Sequence, residues 1–100
     1  MANRYEMHSF EGKAKGGGTA TPVSQILVPA DEHRLFLGVY NLSEDEIIYI
    51  SLGSPAVAGQ GIPLYPRDGY EQKFGDITSQ AVYGVTEAGK TAAFCWHTGG

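Results

Sequence analysis

The sequence predicts an all-β protein: a compact antiparallel β-sandwich of about seven strands, jelly-roll-like or immunoglobulin-like, with an extended N-terminal arm. Three observations predict it. From Pro22 onward, short runs of β-branched and aromatic residues are separated by Gly, Pro, Asp and Ser clusters roughly every eight to twelve residues, the rhythm of strands and turns. No stretch free of Gly and Pro, which in a helix interior cost about 1 and 3 kcal/mol, runs beyond the 14 residues from Val39 to Leu52. A chain of 100 residues closes a single hydrophobic core, so the strands must share it.

Residues 1–21 form the predicted arm. They mix charge, aromatics and glycine without a period of 2 or 3.6, and Gly16-Gly17-Gly18 reads as a linker with no preferred backbone conformation. Tyr5, Met7 and Phe10 are its informative residues, because a purely entropic tether has no use for three large apolar side chains at near-alternating spacing. They point to an arm that orders against a neighbouring subunit. An unstructured terminus with incidental aromatics is the competing reading.

Residues 22–100 form the predicted sandwich domain, with strands at Val23–Val28, Arg34–Leu42, Glu46–Leu52, Ile62–Tyr65, Tyr70–Phe74, Ala81–Thr86 and Thr91–His97. Pro29-Ala30-Asp31-Glu32, Ser43-Glu44-Asp45, Pro66-Arg67-Asp68-Gly69 and Glu87-Ala88-Gly89-Lys90 supply the turns between them. Alternation assigns the faces: Ile48, Ile50 and Leu52 against Ile47, Tyr49 and Ser51; Leu35, Leu37 and Val39 against Phe36, Gly38 and Tyr40; Ala92, Phe94 and Trp96 against Ala93, Cys95 and His97. Both faces carry apolar bulk, whereas a solitary sandwich keeps a polar exterior. That excess points to a homo-oligomer or to a domain packed on a larger assembly. Loops and the arm covering those faces within one chain would account for the same pattern.

The net charge of -4, split as +1 over residues 1–21 and -5 over the rest, disfavours nucleic acid, which needs clustered cations. No apolar run approaches the roughly 20 residues of a membrane span, and no signal-peptide core opens the chain, so cytoplasmic synthesis and no membrane partner are expected. His8, His33 and His97 lack a second ligand at metal-like spacing, although His33, beside Asp31 and Glu32, could meet His97 in space. Cys95, between Phe94 and Trp96, reads as core packing and not as a nucleophile. Glu44-Asp45-Glu46 reads as a solvated turn. Neither Gly16-Gly17-Gly18 nor the glycine-containing segment from Gly53 to Gly61 matches a phosphate-binding loop. The expectation is a chain without catalytic residues, metal or cofactor.

The order Gln25-Ile26-Leu27, then Arg34-Leu35-Phe36-Leu37-Gly38-Val39-Tyr40-Asn41-Leu42-Ser43, Ile48-Tyr49-Ile50-Ser51-Leu52-Gly53, Gly61-Ile62-Pro63-Leu64-Tyr65-Pro66 and Ala81-Val82-Tyr83-Gly84-Val85-Thr86 resembles the small β-sandwich structural proteins of tailed bacteriophages. Their pattern is an R-x-x-L-x-I-x-N-x-S strand, an I-Y-I-x-x-G strand, a G-x-x-L-x-P-G segment and a V-Y-A-I strand. The resemblance covers about three quarters of the chain and departs from the pattern in places. Arg67 and Asp68 intervene between Pro66 and Gly69, Gly38 replaces a β-branched residue and Gly84 replaces alanine, the last two hinting at close backbone approach. It implies a capsid cement or decoration protein on the virion surface, made in the host cytoplasm and without enzymatic activity. Its partners would be the major capsid protein and further copies of the chain, as a trimer. Tyr5, Met7 and Phe10 are the candidate arm anchors, and Tyr40, Tyr49 and Tyr83 the candidate interprotomer contacts. The alternatives are a neck, tail or fibre-attachment component and, from another class, a carbohydrate-binding sandwich that stacks sugars on Trp96 or exposed tyrosines.

Overall fold

In the computed structural model, which describes residues 12–73 and 77–100, the chain forms strands and, among the described residues, no helix. The strands are β1 (Gly12–Ala20), β2 (Gln25–Val28), β3 (Phe36–Asn41), β4 (Ile48–Leu52), β5 (Ile62–Leu64), β6 (Gly69–Gln72), β7 (Val82–Val85) and β8 (Ala92–Gly99). They make two four-stranded sheets, ordered β1-β8-β3-β6 and β2-β7-β4-β5. All pairings are antiparallel, and they nest: β1 with β8, β2 with β7, β3 with β6, β4 with β5. A chain folded double in this way and rolled into two sheets is a jelly roll, which decides between the two sandwich types the sequence allowed.

The core lies between the sheets, where Leu37 and Val39 of β3 and Phe94 of β8 meet Leu27, Val28, Ile48, Ile50, Leu64 and Val82. Trp96, Leu52, Ile62, Tyr70 and Ile77 pack around it, partly buried. The alternation expected from sequence holds in β3, β4 and β8: Ile48, Ile50, Leu37 and Val39 are fully buried, while Tyr49, Phe36, Tyr40 and His97 stand on outer faces.

One segment departs from its expected role. Gly12–Ala20 is not a linker but the longest strand, paired with β8 from Gly12↔Gly99 to Ala20↔Ala92. The reason lies in the partner strand: a Cβ on Gly16 would come within 2.8 Å of the Trp96 indole nitrogen, and one on Gly18 within 3.4 Å of the Phe94 ring. The glycines leave room for aromatic rings that β8 turns inward. Cys95 also departs from expectation, since it sits on the outer face of the first sheet, opposite Tyr40 and half-buried, and not in the core.

Two buried polar residues fasten the connections. The Arg34 guanidinium donates to the carbonyls of Pro29, Thr78 and Gln80 at 2.8, 3.0 and 2.6 Å, pinning two loops to the start of β3. Burial pushes its pKa down, against the opposing field of Asp31. Asn41, at the other end of β3, donates to the carbonyls of Glu46 and Leu64 and accepts from the Ser43 amide. Between β5 and β6 the Asp68 amide donates to the Tyr65 carbonyl at 2.9 Å, with Pro66 second in the turn and Arg67 third at φ 65°. This is the type II pattern with arginine where glycine is usual.

Candidate interaction surfaces

The strand register gathers tyrosines on the outer face of the second sheet. Tyr83 lies between Ile26 of β2 and Ser51 of β4, and Tyr49 between Val85 of β7 and Pro63 of β5. These are neighbouring cross-strand rows, because Tyr49 and Ser51 are two residues apart on β4 and project on the same side. Tyr65, two residues beyond Pro63, is 53% exposed, as is Ile26; Tyr49 and Tyr83 are half-buried. The Tyr49 hydroxyl donates to Glu87 at 3.0 Å, and that hydrogen bond, more than burial, raises its pKa. No lysine or arginine occupies either row. Beside Ser51, a shallow hollow of about 200 Å³ is bounded by Ser54, Pro55, Val57, Gln60 and Gly61.

Tyr40 belongs elsewhere, on the outer face of the first sheet. Its ring lies over two glycines: a Cβ on Gly38 would fall 2.8 Å from Tyr40 Cζ, and one on Gly69 of β6 would fall 2.5 Å from Cδ1. What lies close to Gly38 is thus a tyrosine ring and not another backbone, and Gly84 likewise lies against the Leu27 side chain. The Tyr40 hydroxyl donates to Glu71 Oε2 at 2.7 Å and meets His97 Nε2 at 3.1 Å. A phenol has one proton, so with that proton on the Glu71 bond the imidazole is the donor at Nε2. Burial and the Glu71 hydrogen bond and charge push the Tyr40 pKa up to about 12. His97 stacks on Tyr40 at 5.7 Å and tilts against Phe36 at 5.0 Å, with Lys15 of β1 beside it in register.

The structure thus keeps Tyr49 and Tyr83 together and sends Tyr40 to the opposite sheet. Tyr5, Met7 and Phe10 lie outside the described residues. Trp96 faces inward against Gly16, so it offers no outward platform for a sugar ring. His33 sits in an exposed turn where its amide donates to Asp31, while His97 is engaged by Tyr40 and Phe36. Among the described residues no three His, Cys, Asp or Glu side chains converge as metal ligands, and no helix is long and apolar enough to cross a membrane. Ile26, Pro63 and Tyr65 were not picked out from sequence as surface residues. The signal available was their alternation with Leu27 and Leu64, which face the core, but it needs the strand register to be read.

The chain matches no family model, no curated protein and no solved structure.

Proposed function

We propose that the chain is a non-enzymatic structural protein of a tailed-phage virion, a cement or decoration protein that holds neighbouring subunits of the major capsid protein together and associates with further copies of itself. One observation carries this reading: the outer face of the second sheet sets Ile26, Tyr83, Tyr49, Pro63 and Tyr65 around Ser51, with no lysine or arginine in its two cross-strand rows, a composition closer to a protein interface than to a charged exterior. The sequence resemblance from about Gln25 to Trp96 supplies the setting. A jelly roll by itself does not, because the fold serves unrelated functions.

The mechanism is burial of area. Apolar surface removed from water contributes about 25 cal/mol per Å² before the costs of association are deducted, and repetition over a shell multiplies a modest contact. Rigid rings such as Tyr49 and Tyr83 lose little side-chain entropy on docking, and their hydroxyls stay paired or wet at the rim. The trimer is implied by the resemblance alone.

Co-sedimentation with phage capsid shells assembled without the protein tests this reading. The wild type is expected to pellet with the shells and the Tyr49→Ser/Tyr83→Ser double variant to remain in the supernatant with an unchanged circular dichroism spectrum. Wild-type protein left wholly in the supernatant contradicts it. A neck or tail component would pellet with necks or tails and not with closed shells. A carbohydrate-binding module would instead show sugar-dependent shifts of the Tyr40 and His97 resonances, the stacked pair flanked by Glu71.

A further inference from the structure

The four sheet edges are unequal. In the second sheet, β5 is three residues long with Pro63 at its centre, and β2 is four residues long with a bulge between Ile26 and Val28. Both are ordinary ways of blunting an edge. In the first sheet β6 has four residues, but β1 has nine; its own register shift lies at one end, between Gly12 and Ala14, so residues 14–20 pair with β8 without interruption, with residues 14–19 exposed and β8 as the ladder partner on one side.

Backbone hydrogen bonds of β8 fix which groups on β1 face outward. The amides of Leu35 and Leu42, flanking β3, donate to the carbonyls of Gly99 and Ala93, so the odd-numbered residues of β8 bond toward β3. Alternation turns Phe94, Trp96 and Thr98 toward β1, where their register partners are Gly18, Gly16 and Ala14. Lys15, Gly17 and Thr19 therefore direct their amides and carbonyls away from the sheet. The Thr19 carbonyl confirms this parity, since it is taken from outside by the Gln25 side-chain amide at 3.1 Å. That bond also closes the edge at Thr19 and leaves Lys15 and Gly17 as the adjacent open rungs.

We propose that this edge is an interface for a second copy of the chain: two β1 strands pair antiparallel about a twofold axis at Gly16, with Lys15 of each copy opposite Gly17 of the other. The pairing makes four backbone hydrogen bonds and joins the two first sheets into one eight-stranded sheet. It is isologous, since each copy offers the same two rungs and receives them. Charge and shape choose this register. A shift that centres the axis on Lys15 sets the two ammonium groups against each other, which is destabilising. With the axis at Gly16, each lysine stem lies beside a residue that has no side chain. The choice of a second copy as occupant rests on the self-association in the proposed function, and the twofold contact stands in place of the expected trimer.

Amide exchange measured by NMR on the full chain, at dilute and at high concentration, together with the mass in solution, tests the proposal. The Gly16 and Gly18 amides, bonded to β8, are expected to be protected at both concentrations. The Lys15 and Gly17 amides are expected to exchange freely when dilute and about tenfold more slowly where the mass doubles from 10.7 kDa. Lys15→Pro, which removes one outward amide without touching the β8 ladder, is expected to abolish the doubling, and Lys15→Ala to retain it. A doubled mass with Lys15 and Gly17 still unprotected overturns the edge while leaving self-association through another face. Protection that is independent of concentration overturns it by showing that the edge is covered within one chain. A mass of 10.7 kDa throughout overturns it as well, while the capsid reading is still decided separately by co-sedimentation.

Discussion

Arg34 shows how a residue that reads as a strand-opening cation acts as a structural fastener. Its three acceptors are backbone carbonyls, two of them 44 and 46 residues away, so nothing in the neighbouring sequence discloses them. Two positions of the Arg34–Ser43 motif, which carried the resemblance, are accounted for by packing alone: Arg34 and Asn41 each satisfy loop backbone that would otherwise be buried without partners. Arg34→Lys is expected to lower stability by about 2–3 kcal/mol, because a single ammonium cannot span three fixed acceptors. A lower urea midpoint at unchanged slope would register it. Tyr40 gives a second test at this scale. The folded state holds its phenolic proton more tightly than the unfolded chain does, so its contribution is complete below pH about 10 and is lost as pH rises from about 10 to about 12. Tyr49 shifts in the same direction through Glu87. Thermal unfolding across that interval should therefore show a falling melting temperature, and Tyr40→Phe should flatten the fall.

At the scale of elements, strands with alternating side chains were legible and the strand without them was not. Ile48 and Ile50 against Tyr49 and Ser51 announce β4 from the sequence alone. Gly16-Gly17-Gly18 offers no side chains from which a period could be read, and what makes it a strand is the inward turn of Trp96 and Phe94 on a segment some 80 residues later. Cys95 reads as core packing from its neighbours Phe94 and Trp96, yet strand alternation carries it to the opposite side. If β1 is a strand shaped to those rings, Gly16→Ala should cost about 1–3 kcal/mol, as overpacking does, while Thr19→Val on the exposed side should be neutral within about 0.5 kcal/mol. A flexible linker would tolerate both equally. A truncation that tests the arm must accordingly end at Glu11, since the predicted arm of residues 1–21 contains the whole of β1.

For the whole molecule, the two-layered all-β body followed from length and strand spacing, but the nested pairing did not, since it is set by contacts between the two ends of the chain. Without that topology Tyr40, Tyr49 and Tyr83 look equivalent. With it, Tyr49 and Tyr83 join Ile26, Pro63 and Tyr65 on one tyrosine-rich sheet face, while Tyr40 belongs to a hydrogen-bonded cluster on the other. Under the proposed function, shell docking falls to the second sheet and contact between copies to the first. Chemical labelling of tyrosines in the free and shell-bound protein reads this assignment most directly. Tyr49, Tyr65 and Tyr83 should lose reactivity on the shell while Tyr40 keeps its own; equal reactivity of Tyr65 in both states, or protection confined to Tyr40, would contradict it.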